Sequence, residues 1–159
     1  MKKPLLLYFL FQYNFVDAQK SIIGNYRDNF GHQIELSNDS TFEFNYRFDL
    51  ASEWSVGNWR MKGDTVIFTS TPVMDTLIRV GMPDSLVLSL NKIPKRMSER
   101  EFAIDNITSG RQLPDYVPKK MVFKKQRLYE VKKNGKLKKK KVRGFFTKKR
   151  FVPWYRKID

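Results

Sequence analysis

The segment from residue 34 to residue 48 constrains the fold most, because its apolar residues alternate with polar ones instead of recurring every three or four positions. Ile34 and Leu36 precede the turn sequence at 37–40, whose Asn38 and Asp39 tolerate left-handed backbone. After that turn, aromatic and polar residues alternate in the order Phe42, Glu43, Phe44, Asn45, Tyr46, Arg47, Phe48 and Asp49. The pattern predicts a β-hairpin with one aromatic face.

Further strand patterns follow along the chain. Gly24-Asn25-Tyr26-Arg27 and Gly57-Asn58-Trp59-Arg60 are near-copies, and each leads into a hairpin pattern. Strands are predicted over 58–61, 65–70, 76–80 and 85–90, whereas residues 91–118 read as loop with one irregular element, a helix within 95–103 or a strand over 101–104. Short strands joined by turns predict an all-β, antiparallel meander that closes into a barrel, with a two-sheet sandwich as the alternative.

The N-terminus has the features of a secretory signal peptide. Lys2 and Lys3 precede the apolar run 5–11, and Val16-Asp17-Ala18 suits a signal peptidase site. We therefore predict a signal peptide over 1–18, cleavage near Ala18, and a secreted or periplasmic protein. The run is too short for a membrane span of about 20 residues, so no integral membrane span is expected. Residues 19–159 are predicted to form a single β-domain.

Charge is distributed unevenly. The chain has a formal net charge of +15. Residues 1–118 carry 13 Lys and Arg against 14 Asp and Glu, a net of −1, whereas residues 119–159 carry 18 against 2, a net of +16. Aromatic residues punctuate this basic segment, which predicts packed strands rather than a free tail, with a hairpin over 128–146 turning at Asn134-Gly135 and positive φ at both turn residues.

The Gly-Asn-aromatic pairs, set among alternating strands behind a signal peptide, resemble small secreted bacterial lipocalin-like proteins of unassigned function. Lipocalins carry Gly-x-Trp at the start of their first strand, where the indole closes one end of the barrel. Gly24 and Tyr26 match that motif with tyrosine in place of tryptophan, and Gly57 and Trp59 match its letters farther along the chain. The resemblance covers about half of the mature chain and implies a β-barrel more than a function.

An aromatic face of this kind has two interpretations. In a barrel it lines a cavity for a small apolar ligand, or it fills the interior as core. The candidate residues are Tyr26, Phe42, Phe44, Tyr46, Phe48, Trp59 and Phe68. The first interpretation gives our alternative function, a lipocalin-like carrier.

The basic segment is the main functional candidate. Clustered cations attract polyanions, and neighbouring aromatic rings stack on bases or insert among lipid headgroups. The competing interpretation is that the lysines only keep an exposed strand edge from pairing with another chain. The candidate polyanion-binding residues are Lys132, Lys133, Lys138, Lys139, Lys140, Lys141, Arg143, Lys148, Lys149 and Arg150. The expected partner is an anionic lipid, an envelope glycolipid or another polyanion.

Catalysis is not expected. The chain has no cysteine and one histidine, His32, which excludes disulfides, thiolate zinc sites and thiolate nucleophiles. It has no phosphate-binding glycine loop and no nucleophile elbow, and we interpret His32 as a turn residue rather than a base. The sequence thus predicts a non-catalytic binding module with no catalytic residues, no metal site and no cofactor.

Overall fold

The computed structural model describes residues 22–108 and 110–158. The predicted signal peptide over 1–18 lies outside these residues. Within them the chain forms strands and one helix of ten residues, in the following order. The elements are β1 (Gly24–Arg27), β2 (His32–Leu36), β3 (Thr41–Phe48), β4 (Ala51–Lys62), β5 (Thr65–Ser70), β6 (Met74–Ile78), β7 (Ser85–Leu88), β8 (Arg96–Ser98), α1 (Glu99–Thr108), β9 (Arg111–Gln112), β10 (Lys120–Phe123), β11 (Arg127–Glu130), β12 (Val142–Arg143), β13 (Arg150–Phe151) and β14 (Tyr155–Ile158).

Eight strands form a closed antiparallel barrel. In chain order they are β1, β2, β3, β4, β5, β10, β11 and β14, and each pairs with the next. The last strand returns to the first, with Asn25 opposite Ile158 and Arg27 opposite Arg156. Closure leaves the barrel no free edge. The predicted all-β antiparallel barrel is confirmed, and the two-sheet alternative does not form.

The barrel interior is occupied by a single buried cluster. Side chains at alternate positions of each strand face inward, which is why the 42–48 alternation produces one buried and one solvated face. The cluster comprises Ile22, Tyr26, Ile34, Leu36, Phe42, Phe44, Trp59, Val66, Phe68, Val117, Met121, Leu128 and Tyr155. Gly57 in β4 lets the barrel wall close tightly, because a Cβ there would lie 2.1 Å from the carbonyl oxygen of Thr69 on β5.

The segment between β5 and β10 leaves the barrel wall. β6 pairs with β7 and β8 in a separate three-stranded sheet. The strands predicted over 76–80 and 85–90 therefore form, but the prediction that they continue the barrel meander is wrong. This segment covers the outer face of β4, where Trp54 Nε1 donates to the carbonyl oxygen of Leu90. The irregular element is the helix α1, which begins with a capping box between Ser98 and Glu101. No helix in residues 22–108 or 110–158 is long and apolar enough to cross a membrane.

Residues 131–154, here called the cap, connect β11 to β14. β11 belongs to the barrel, so the hairpin predicted over 128–146 is reduced to one bridge between Val131 and Leu137. Gly135 has a φ of 76°, whereas Asn134 does not adopt the positive φ that the predicted turn required. A second short hairpin pairs β12 with β13. The cap is therefore a long excursion between two neighbouring barrel strands.

Candidate anionic-partner surface at one end of the barrel

Three segments meet at one end of the barrel. They are the β1–β2 turn at 28–31, the β3–β4 turn at 49–50, and the cap. Strand register places them together, because Arg27 at the end of β1 lies opposite Arg156 near the start of β14, and β3 runs up to the β3–β4 turn with Tyr46 opposite His32. We call this the cap end.

Ring contacts fasten the cap to this end. The ring centroid of Phe145 lies 4.4 Å from that of Phe48 and 6.1 Å from that of Phe30. Phe151 also meets Phe30, at 6.3 Å, and Asn29 Nδ2 donates to the carbonyl oxygen of Val152 at 3.1 Å. The cap is thus packed against the β1–β2 turn and the end of β3.

The cap contains eleven Lys and Arg and no Asp or Glu. Ten of these were predicted to bind a polyanion, and nine of the ten are exposed; Lys138 is half-buried, with its Nζ 2.9 Å from Oε2 of Glu130. Among the described residues, the other nine reach no carboxylate: Lys132, Lys133, Lys139, Lys140, Lys141, Arg143, Lys148, Lys149 and Arg150. Nine of the ten predicted cations therefore carry a charge that no described carboxylate compensates.

Within residues 22–118, by contrast, half of the ten Lys and Arg side chains are paired. Five Lys and Arg side chains within residues 22–118 reach a carboxylate, in the pairs Arg79–Glu99, Lys92–Glu43, Lys95–Asp105, Arg96–Asp84 and Arg111–Glu53. Exposed pairs of this kind stabilise a fold only slightly, so their absence from the cap costs little stability. The absence of ion pairs instead changes the electrostatic potential, because unpaired like charges at one end of the barrel produce a strong positive potential there.

Two large apolar side chains at the same end are almost fully exposed. Phe146, between β12 and β13, is 99% exposed, and Leu50, in the β3–β4 turn, is 96% exposed. The ring of Phe48 stacks on that of Phe146 with centroids 6.0 Å apart, which links the two turns. We call Phe146 and Leu50 the apolar tip. Cations on both sides of Phe146 in the sequence, from Arg143 to Lys148, surround it with positive charge.

A hydrogen-bonded chain of side chains lies beneath the cap. Asp28 Oδ1 accepts hydrogen bonds from the backbone amides of Phe30 and His32, and its Oδ2 lies 2.7 Å from His32 Nδ1. His32 Nε2 lies 3.2 Å from the hydroxyl of Tyr116. Because Nδ1 donates to the carboxylate in the neutral imidazole, Nε2 is left to accept from the phenol. Asp28 therefore organises the turn that carries Phe30.

The imidazole of His32 is covered by aromatic rings. Tyr46 stacks on it at 4.8 Å, and Phe44, Tyr116 and Tyr155 lie within 6.3 Å. Burial, followed by the neighbouring phenol and carboxylates, raises the pKa of Tyr116. Our interpretation of His32 as a turn residue missed this network: His32 begins β2. The four-residue spacing of Asp28 and His32 could have indicated their contact. Tyr116 lies 84 residues from His32, and no sequence pattern indicated that the two side chains meet.

Five of the seven predicted ligand-or-core residues lie in the buried cluster: Tyr26, Phe42, Phe44, Trp59 and Phe68. Tyr46 packs against that cluster, and Phe48 lies at the cap end instead. Trp59 Nε1 donates to the carbonyl oxygen of Ser37, and the Tyr26 hydroxyl donates to that of Ile22. These contacts favour the core interpretation, and ligand carriage stays a prediction.

A groove of about 380 Å³ lies on the outer face of the barrel rather than inside it. Glu35 on β2 and Glu43 on β3 lie opposite each other in its wall, beside Thr41, Asn58 and Thr71. Burial raises the pKa of Glu43, but hydrogen bonds from Asn45 and Lys92 outweigh that effect, so the pKa lies below its usual value. The groove is thus acidic and unsuited to an anion. In the part of the chain that the structure describes, no three His, Asp or Glu residues form a metal-binding group.

Comparisons of the chain with protein-family models, with curated proteins and with solved structures give no match in any of the three. The functional argument therefore depends on the geometry and charge of the cap end.

Proposed function

We propose that this protein is a secreted or periplasmic, non-catalytic binding module of the lipocalin-like type, which contacts an anionic or amphiphilic partner through its cap. The observation that supports this most directly is the group of nine exposed cap cations without a carboxylate partner. The proposed location depends on the N-terminal sequence and on cleavage near Ala18.

Edge protection explains these lysines less well. That role requires an exposed strand edge. The barrel is closed, and of the nine cations only Arg143 and Arg150 lie in strands, in the two-residue pair β12–β13. Lys138 to Lys141 lie in irregular backbone outside any strand. Their charge therefore has no pairing edge to guard, and attraction of a polyanion is the use that fits their position.

The test compares two triple variants of equal charge. One replaces Lys140, Lys141 and Lys148 of the cap with Gln. The matched control replaces Arg60, Lys62 and Arg100, which are also exposed and form no ion pair with any described residue. Binding to anionic vesicles, to envelope glycolipid and to duplex DNA is titrated by fluorescence over a salt series. A cation near an anionic surface contributes about 1 kcal/mol, so the cap variant should bind about 100-fold more weakly.

Electrostatic binding also has a salt signature. The wild-type affinity should fall steadily as salt rises, and the cap variant should show a smaller slope. The control variant should keep nearly wild-type affinity. Equal losses in both variants, or no binding of any anionic partner at low salt, would remove the proposal.

A further inference from the structure

The apolar tip identifies the class of partner. Given the proposed binding role of the cap, we infer that the partner is the headgroup layer of an anionic lipid membrane, and that Phe146 and Leu50 insert their side chains into it while the cap cations contact the phosphates.

The loop that carries Phe146 is preformed. Gly144 N donates to the carbonyl oxygen of Lys149 at 2.9 Å, and Arg143 Nε donates to that of Thr147 at 3.0 Å. A Cβ on Gly144 would lie 2.5 Å from the ring of Phe151, so the loop rests directly on that ring. Insertion therefore requires little further ordering of the loop.

The backbone holds the Phe146 side chain outward. Its φ is 51°, a left-handed conformation that large residues rarely adopt. The neighbouring Phe145 contacts Phe30 and Phe48 and so attaches the cap, while Phe146 contacts only the half-buried ring of Phe48 among the described aromatic residues. Phe145, 50% exposed, thus serves attachment, whereas Phe146 is almost fully exposed.

Charge complementarity favours a lipid surface over a soluble polyanion. A single exposed apolar residue is ordinary in a protein surface, but two large ones at one end, beside unpaired cations, match an interface that is anionic outside and apolar beneath. Arg143, Lys148 and Lys149 are exposed and lie within three residues of Phe146 in the same loop, so they stay near the phosphates when the ring is inserted. A nucleic acid duplex would satisfy the cations and leave Leu50 in water.

The experiment measures binding to mixed phosphatidylglycerol–phosphatidylcholine vesicles, to pure phosphatidylcholine vesicles and to duplex DNA. Phe146→Asn removes the ring and keeps a residue that tolerates positive φ. We expect it to weaken binding to the mixed vesicles about tenfold to a hundredfold, the effect of losing one buried aromatic side chain, and to leave DNA binding unchanged. Leu50→Ser should act in the same direction. The matched control, Val80→Asn, alters an equally exposed apolar residue in the segment between β6 and β7 and should change neither.

A second variant reports insertion directly. Phe146→Trp should show a blue-shifted emission with mixed vesicles, quenched by brominated acyl chains, beyond the response of the wild-type protein with its three tryptophans. Three outcomes overturn the inference: unchanged vesicle affinity in Phe146→Asn, an equal loss on DNA, or no acyl-chain quenching. In each of them the proposed cap function survives if the Lys140, Lys141 and Lys148 variant still loses binding. If that charge variant binds normally, the proposed function itself fails.

Discussion

The rings of Phe48 and Phe145 lie 4.4 Å apart, centroid to centroid, and join the end of β3 to the middle of the cap. Aromatic pairs couple by about 0.5–1.5 kcal/mol. A double-mutant cycle with Phe48→Leu and Phe145→Leu should therefore give a coupling energy in that range, measured by denaturant unfolding. The control cycle pairs Phe145→Leu with Phe68→Leu, because the ring that Phe68 meets is Phe42, inside the barrel, and it should show almost no coupling. Equal coupling in both cycles would contradict direct contact.

Asp28 should determine the tautomer of His32. The neutral imidazole is expected to carry its proton on Nδ1, because that atom faces the Asp28 carboxylate. His32 is the only histidine of the chain, so its nitrogen chemical shifts can be read by NMR without assignment. In Asp28→Asn the amide can instead donate to Nδ1, and the proton should move to Nε2. A wild-type ring protonated on Nε2 would show that the hydrogen bonds through Asp28, His32 and Tyr116 run in the opposite direction.

Gly57 should be the least replaceable glycine of the barrel wall. In Gly57→Ala the new Cβ would meet the Thr69 carbonyl oxygen at 2.1 Å and Ser70 Cα at 2.8 Å, so β4 and β5 must separate. We expect the free energy of unfolding to fall by about 3 kcal/mol. Gly63→Ala is the control, since it has open space but a φ of 61°, and should cost about 1 kcal/mol. Similar costs at both positions would mean that the strands relax without penalty.

The barrel should lose stability at high pH. Burial raises the pKa of Tyr155 well above its ordinary value of 10.0, and burial likewise raises that of Tyr26. Above pH 10 the unfolded chain releases phenol protons that the folded chain keeps, so this contribution is complete below pH 10 and is lost as the pH rises. Each such group steepens the decline by about 1.4 kcal/mol per pH unit.

Tyr155→Phe isolates one of these groups. Denaturant unfolding at about pH 9 and about pH 11 should show a shallower decline in the variant than in the wild-type protein. Tyrosinate absorbance provides a second readout, because the folded protein should ionise fewer phenols than the denatured chain at the same pH. Parallel declines in the two proteins would exclude the linkage for Tyr155.

Local sequence patterns predicted most strands of the barrel but not which strands pair with each other. The alternation from Phe42 to Phe48 identified β3 because one face of that strand points inward, with Phe42 and Phe44 buried and Tyr46 and Phe48 half-buried. The first part of β4, residues 51–57, was missed because polar and small residues interrupt its pattern; pairing with the distant β9 as well as with β3 holds it in place. β6 alternates as a barrel strand would, yet it pairs elsewhere, since alternation shows which faces differ and not which strand lies alongside.

For the cap too, one property could be predicted from the sequence and another could not. Its charge could be counted from the sequence, and the ten predicted cations do lie in one excursion. The position of the cap beside the β1–β2 turn could not be predicted, because it depends on the pairing of β14 with both β1 and β11. The Asp28–His32–Tyr116 chain and the exposure of Phe146 depend on that closure too, so neither left a readable pattern.

The two ends of the cap lie on neighbouring strands, with Leu128 opposite Tyr155. In topology it is one very long hairpin loop, and the entropy cost of a loop rises only slowly with its length. None of the paired residues of the eight barrel strands lies within 131–154, so this segment can be exchanged as a unit while the strand pairing of the barrel is kept. The cap is therefore free to diverge, or to be grafted, while the barrel that carries it stays the same.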